Sequence, residues 1–377
     1  MKKEANTLRS WFNSFDFVFL IIVVVLVLFG LLMVYSSSFI LSQERTGDGL
    51  AYIKKQLLFT VLGFGAMAAA TRIHYSKWMN WSAGLLIAAM VLLVAVLIPG
   101  LGARVGGAQR WIRLGFMNFQ PSEFVKFALI VFVARQLSKK QERLHQFTAG
   151  VLANFLLPLP ALILLLKQPD FGSVVMIGVT IFAMMFLAGV SLRYLFGSLA
   201  LAVAGAGMLI WLEPYRLARF MSFLDPWADP GGKGFQIIQS FVGLNHGGFF
   251  GVGLGNGKEK LFYLPEAHND FILAVIGEEL GYLGVIAVIS GFLLFIYRGL
   301  KIALTSLEAT GDRFAFNLGV GITLIIGLQA FVNIAVVLGL LPTKGLTLPF
   351  ISYGGSAILV NLFAVGVLLS LTRKQTT

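Results

Sequence analysis

FVFLIIVVVLVLFGLLMV, residues 17–34, runs for eighteen positions without a charge, an amide or a proline. At 1.5 Å per residue it covers about 27 Å, close to the roughly 30 Å hydrocarbon core of a bilayer. It does not alternate with period two, and backbone groups in hydrocarbon need internal partners, so it reads as a membrane helix and not a barrel strand. Working outward, the same reading applies to ten apolar blocks, at about 16–38, 55–73, 79–99, 121–137, 147–166, 171–190, 192–212, 270–297, 314–340 and 351–372. Together they make 58% of the 377 residues hydrophobic and only 12% charged, against about 25% charged in an average soluble domain. The expected fold class is all-α: a polytopic membrane protein of about ten transmembrane helices, one membrane domain over 1–377, with no internal repeat or low-complexity tract.

Ten spans put both termini on one side, and the Lys/Arg bias of the short loops says which. One side carries fifteen: Lys2, Lys3, Arg9, Arg72, Lys77, Arg135, Lys139, Lys140, Arg143, Arg193, Arg298, Lys301, Arg313, Arg373 and Lys374. The other carries eight in short segments: Arg45, Lys54, Lys55, Arg104, Arg110, Arg113, Lys167 and Lys344. Five more there (Arg216, Arg219, Lys233, Lys258 and Lys260) lie in one long loop, which counts weakly. Cytoplasmic termini follow. The first apolar block is longer than a signal-peptide core of about 7–15 residues and is read as an uncleaved anchor.

A net charge of +12, spread over many short loops, suits anionic lipid heads and argues against nucleic-acid binding. Zero cysteines exclude a disulfide framework and thiolate metal sites, and His74, His145, His246 and His268 lack ligand spacing. No dedicated metal cage is visible, so the metal role that remains is a divalent cation assisting an anionic ligand.

Two outer connections, about 100–120 and 213–269, are too long to be simple turns, and long loops on a rigid scaffold commonly carry binding and catalysis. Within the second, residues 234–244 show the helical apolar spacing of a short interfacial helix, followed by a glycine cluster from Gly243 to Gly257. It leads into LPEAHNDFILAVIGEEL, 264–280, with Glu266, Asp270, Glu278 and Glu279 at and just inside the start of the eighth block. A carboxylate at mid-bilayer depth costs roughly 2.5–3.5 kcal/mol, so such groups normally face a protein interior, a wet cavity or a substrate path. Glu278 and Glu279 are read as polar anchors between helices, helped by the small-residue spacing Gly277-x-x-x-Gly281. Asp270, at the water boundary beneath the large loop, is the candidate general base, because partial desolvation would raise its pKa.

Glu123 and Lys126 share one face at the start of the fourth block, either as a structural ion pair or as a supporting pair for the chemistry. Arg104, Arg110 and Arg113 flank Trp111 on the outer side, where the charge bias disfavours arginine; with Arg216, Arg219 and Lys344 they are candidates for an anionic ligand, because a guanidinium fork matches phosphate oxygens. Asp170 opens the sixth block, as a helix cap or as a second polar group in the same cavity.

GGAQRWI at 106–112, FQPSEFVK at 119–126, QPDFGS at 168–173, YRLARFMSFLDPWADPGGKGFQIIQS at 215–240, KLFYLPEAHNDF at 260–271, GEELGYLG at 277–284 and LPTKGLTLPFISYGGSA at 341–357 resemble the SEDS family of bacterial cell-wall polymerases over about 15–372. TKGLTLP, 343–349, favours its division branch. Asn269 and Gly257 depart from the family pattern, where Thr and Ser are expected. The resemblance implies a glycosyltransferase that polymerises lipid II, with Asp270 essential, Glu123, Lys126 and Asp170 in support, and Arg104, Arg110, Trp111, Arg216, Arg219 and Lys344 as candidates for the pyrophosphate. It also implies a class B penicillin-binding transpeptidase and other division proteins as partners, at the septum of the inner membrane. A lipid II flippase and a non-catalytic division scaffold are the alternatives. Flipping predicts polar groups through both leaflets, whereas the charges here gather toward the outside.

Overall fold

The computed structural model describes residues 16–105, 108–113, 115 and 118–372. Lys2, Lys3, Arg9, Arg373, Lys374 and the Gly106-Gly107 step therefore lie outside the described residues. Thirteen helices account for most of the described chain. The first three, α1 (Phe17–Thr46), α2 (Ala51–Arg72) and α3 (Tyr75–Leu97), precede a small sheet of β1 (Gly102–Val105), β2 (Ala108–Arg113) and β3 (Asn118–Phe119). There follow α4 (Pro121–Lys139), α5 (Ala153–Leu156), α6 (Leu159–Lys167), α7 (Phe171–Leu187), α8 (Leu192–Trp211), α9 (Pro214–Leu224), α10 (Phe235–Gly247), α11 (Ile272–Thr310), α12 (Arg313–Val337) and α13 (Gly355–Ser370).

Each of the ten apolar blocks is helical, with edges set by local chemistry. Asp16 caps α1, its side chain accepting from the Phe19 amide at 2.9 Å, and Gly47 ends the helix in the left-handed region, well past residue 38. The fifth block is composite: a π-turn at Thr148–Leu152, the short α5 and then α6, which restarts after Pro158. The tenth starts at Gly355 and not 351, because residues 349–353 form a turn. Seven helical stretches are long and apolar enough to cross a membrane. Of the remaining helices in the blocks, α4 carries Glu123, Lys126 and Arg135, while α7 and α13 are shorter.

The core lies where α4, α12 and α13 meet, and α2 runs along α13. That last approach needs a residue without a side chain: a Cβ on Gly366 would sit 2.4 Å from the Met67 carbonyl. In contrast, α8 is almost unburied and touches little besides α7 and α9.

Three expectations need correction. The 100–120 connection is not an irregular loop but a three-stranded antiparallel sheet, with Ala103 opposite Trp111 and Ile112 opposite Phe119. The 213–269 segment is largely folded, and α10, expected at 234–244, packs Ile237, Ile238 and Leu244 inward against α11.

The third correction concerns Gly281. It is not a helix-packing glycine, because at φ 69°, ψ −168° it breaks α11 into a buried segment Ile272–Leu280 and a long second half. A Cβ there would meet the Phe249 carbonyl at 2.4 Å. The groups freed by the break pair with residues 248–253: Val252 and Gly253 amides donate to the Glu278 and Glu279 carbonyls, and Tyr282 and Leu283 amides donate to the Gly248 and Phe249 carbonyls, at 2.9–3.3 Å. Irregular backbone at membrane depth is tolerated only when so satisfied. Glu278 accepts from the Lys258 and Glu259 amides and contacts His246 Nδ1 at 3.0 Å, while Glu279 pairs with Lys260 at 2.6 Å and accepts from Ser36 Oγ on α1. The anchoring role expected for both is therefore real, but their partners are mainly a folded loop.

Candidate functional site

The turn 265–271 precedes α11 and carries Asp270, so the helix begins two residues later than the sequence block. Three successive carbonyls of this turn are held by the segment 333–353. Tyr353 N donates to His268 O at 3.0 Å, Ser352 Oγ to Asn269 O at 2.7 Å, and Asn333 Nδ2 to Asp270 O at 2.7 Å. The Asp270 carboxylate then lies against Gly345, with Oδ2 3.2 Å from where a Cβ on that residue would be.

Gly345 lines a cavity of about 180 Å³ shared with Arg110, Asp170, Phe171, Arg216, Arg219, Thr343 and Lys344. The sheet contributes Arg110, whose Nε donates to Gln168 O at 3.0 Å and whose Nη2 donates to Pro169 O. That ties β2 to the turn before α7. Asp170 caps α7, accepting from Ser173 N at 3.2 Å and Ser173 Oγ at 2.8 Å, and also lines the cavity. The Phe171 ring meets two cations, Arg216 at 5.2 Å and Lys344 at 5.3 Å. The ring's negative face offsets part of their mutual repulsion.

Burial pushes Asp270 up to about 7; the Glu266 charge adds to this, while Arg219 and Arg110 oppose it. Burial also lowers the Lys344 pKa. An oxyanion of pKa near 7 beside several cations can take a proton from a hydroxyl while the cations stabilise a phosphate leaving group.

Several candidates lie elsewhere. Arg104 and Arg113 are exposed on the sheet, and Trp111 is half-buried there opposite Ala103; none lines the cavity. The cause is the sheet itself: alternate residues of β2 point to opposite faces, which an irregular loop would not impose. Glu123 and Lys126 are sealed at the top of α4, 2.8 Å apart, and line a separate cavity of about 20 Å³. They reach the site indirectly, since Lys126 Nζ donates to Gln329 Oε1 at 2.6 Å and Gln329 Nε2 donates to Thr347 O at 2.9 Å.

Gln329 and Asn333 were missed in the sequence. The available signal was two carboxamides four residues apart in an apolar helix, hence on one face. Among the described residues no group of three or more His, Asp or Glu is arranged to hold a metal ion. A divalent cation would have to take its ligands mainly from substrate phosphates.

Residues 16–377 match the family model FTSW_RODA_SPOVE, described as a cell cycle protein. The chain is 44% identical to the probable peptidoglycan glycosyltransferase FtsW of Geobacter sp. (strain M18), over 96% of this chain and 98% of that one. It is 41% identical to stage V sporulation protein E of Bacillus subtilis (strain 168), again over 96% and 98%. Among solved structures it is similar to a chain of a peptidoglycan synthase complex that coordinates polymerization and crosslinking, with TM-score 0.78, 28% identity and coverage of 95% and 98%. Its fold also matches the rod shape determining protein RodA of Thermus thermophilus, with TM-score 0.69, 24% identity and coverage of 96% and 98%.

Proposed function

The chain belongs to the FtsW/RodA/SpoVE cell cycle protein family, and from that premise we propose that it is a division-type peptidoglycan glycosyltransferase polymerising lipid II, with Asp270 as general base. On this reading the chain crosses the membrane ten times with both termini cytoplasmic, and the reaction takes place at the outer face of the cytoplasmic membrane. The observation that carries the reading is the Asp270 carboxylate packed against Gly345, which lines a cavity together with Arg110, Arg216, Arg219 and Lys344.

In the proposed step an acceptor sugar hydroxyl gives its proton to Asp270, and its oxygen bonds to the donor's anomeric carbon. The bond from that carbon to the undecaprenyl pyrophosphate breaks with inversion. The pyrophosphate leaves with the bonding electron pair, and nearby guanidinium and ammonium groups stabilise the developing charge, so no acid is needed on that side. Glu123 and Lys126 act through Gln329 and the 343–349 loop. A class B penicillin-binding transpeptidase is the partner expected for septal synthesis, in keeping with the synthase complex this chain resembles.

A base must be unprotonated to act. With the Asp270 pKa raised to about 7, polymerisation should climb with pH through that value and fall about tenfold per unit below it. Purified protein given labelled lipid II in detergent, with and without the transpeptidase, should form glycan polymer, while Asp270→Asn should accumulate normally in membranes and form none. Polymer from the Asn variant would sink the base assignment. Polymer from neither protein under any condition, with lipid II crossing vesicles instead, would favour transport.

A further inference from the structure

We propose that Asn333 is a positioning residue for this reaction, and the inference rests on Asp270 being the base. Asn333 is 2% exposed and sits on α12, one helical turn beyond Gln329. Its carboxamide nitrogen has two protons, and both are used: Nδ2 donates to Asp270 O and to Leu346 O, each at 2.7 Å. One nitrogen thus joins the turn that bears the carboxylate to the 343–349 loop, whose Gly345 faces that carboxylate and whose Lys344 lines the cavity. Of the three groups that hold the carbonyls of residues 268–270, Ser352 also meets the opposing loop, its Oγ accepting from Leu348 N at 2.8 Å, but Asn333 alone bridges from a separate helix and holds the carbonyl of Asp270 itself.

The arrangement costs something, because Asn333 Oδ1 is buried without a partner. An unpaired buried carbonyl is disfavoured. Packing alone would be served by an apolar side chain, whereas a bifunctional donor at this point fixes the separation of the base from the loop that bears Lys344. Small displacements of a reacting group lower rates steeply, by as much as about a hundredfold for 1 Å.

A positioning role and a merely structural one differ in pH behaviour. The charges acting on Asp270 are Glu266 in its own turn, Arg110 of β2 and Arg219 of α9; the facing loop carries Lys344, and α12 presents Asn333, which is neutral. Freeing the turn admits water and relieves the burial that raises the carboxylate's pKa, so the acid limb of the rate profile should move to lower pH.

The test uses the full-length protein with its transpeptidase partner, following initial polymerisation of labelled lipid II from about pH 5.5 to 8.5. Compared are the unmodified protein, Asp270→Asn, Asn333→Ala, and Asn333→Ser, which keeps one donor. Expected are no polymer from Asp270→Asn, and a kcat about tenfold to a hundredfold lower for Asn333→Ala with KM changed less than about threefold. The acid midpoint should fall by about half a unit or more in Asn333→Ala, with Asn333→Ser between it and the unmodified protein. An inactive Asp270→Asn together with an unshifted midpoint in the Asn333 variants, whether their rate is full or uniformly reduced, overturns this inference alone. Should Asn333→Ala fail to accumulate, the midpoint of Asn333→Ser decides in the same way. Polymerisation by Asp270→Asn removes the premise and this inference with it.

Discussion

At Lys126, both the nature of an interaction and its distance from the chemistry can be judged. The spacing to Glu123 announced an ion pair, and the two are 2.8 Å apart and nearly sealed from solvent. Removing one member of a buried pair leaves an uncompensated charge and typically costs 3–5 kcal/mol, about what a marginally stable fold can lose. Lys126→Met alone should therefore lower the thermal unfolding temperature in detergent markedly, while Glu123→Gln with Lys126→Met should recover much of it. Equal losses in single and double variants would show that the pair is not the stabilising unit. Charged residues were legible because they stand out against apolar helices. Gln329 and Asn333 were not, because a neutral amide carries no charge pattern to read. Their roles depend on which backbone carbonyls the fold brings beside them.

Among the elements, apolar length fixed where helices occur but not where they stop. A run of Val, Ile and Leu is equally apolar on either side of a break, so the interruption of α11 was hidden behind a spacing that also suits helix packing. Val-Gly-Gly-Ala at 105–108 is a hairpin signal of only two residues, easily masked by the arginines and tryptophan around it, which suggest a binding loop. Gly281→Ala should fail at the break: positive φ is strained for a Cβ by about 1–3 kcal/mol, and the Phe249 carbonyl occupies the space. The expected outcome is poor accumulation in membranes and faster proteolysis within 247–257, whereas Gly277→Ala should act by displacing Leu244. Wild-type levels and protease resistance in Gly281→Ala would mean that α11 can run straight.

For the whole molecule, composition and the apolar blocks established the class, and the order of helical segments agrees with the sequence blocks. The site is shared among β2, the turn before α7, α9, the turn before α11 and the 343–349 loop, and no linear reading ranks residues drawn from five places. Orientation is testable because the chain has no cysteine, so any introduced thiol is unique. Asp48→Cys and Asp229→Cys should react with a membrane-impermeant maleimide in intact spheroplasts, and Ser191→Cys and Gly311→Cys only after permeabilisation. The reverse pattern would put the cavity on the cytoplasmic side and end the polymerase reading.

The four main-chain bonds that stitch residues 248–253 to the broken helix are indifferent to the side chains flanking them. Phe249, Phe250, Tyr282 and Leu283 carry their outward decoration on a joint made of peptide groups. Substituting those four side chains should therefore alter the outer surface offered to lipid or neighbours while the joint beneath keeps its geometry, for as long as position 281 stays bare.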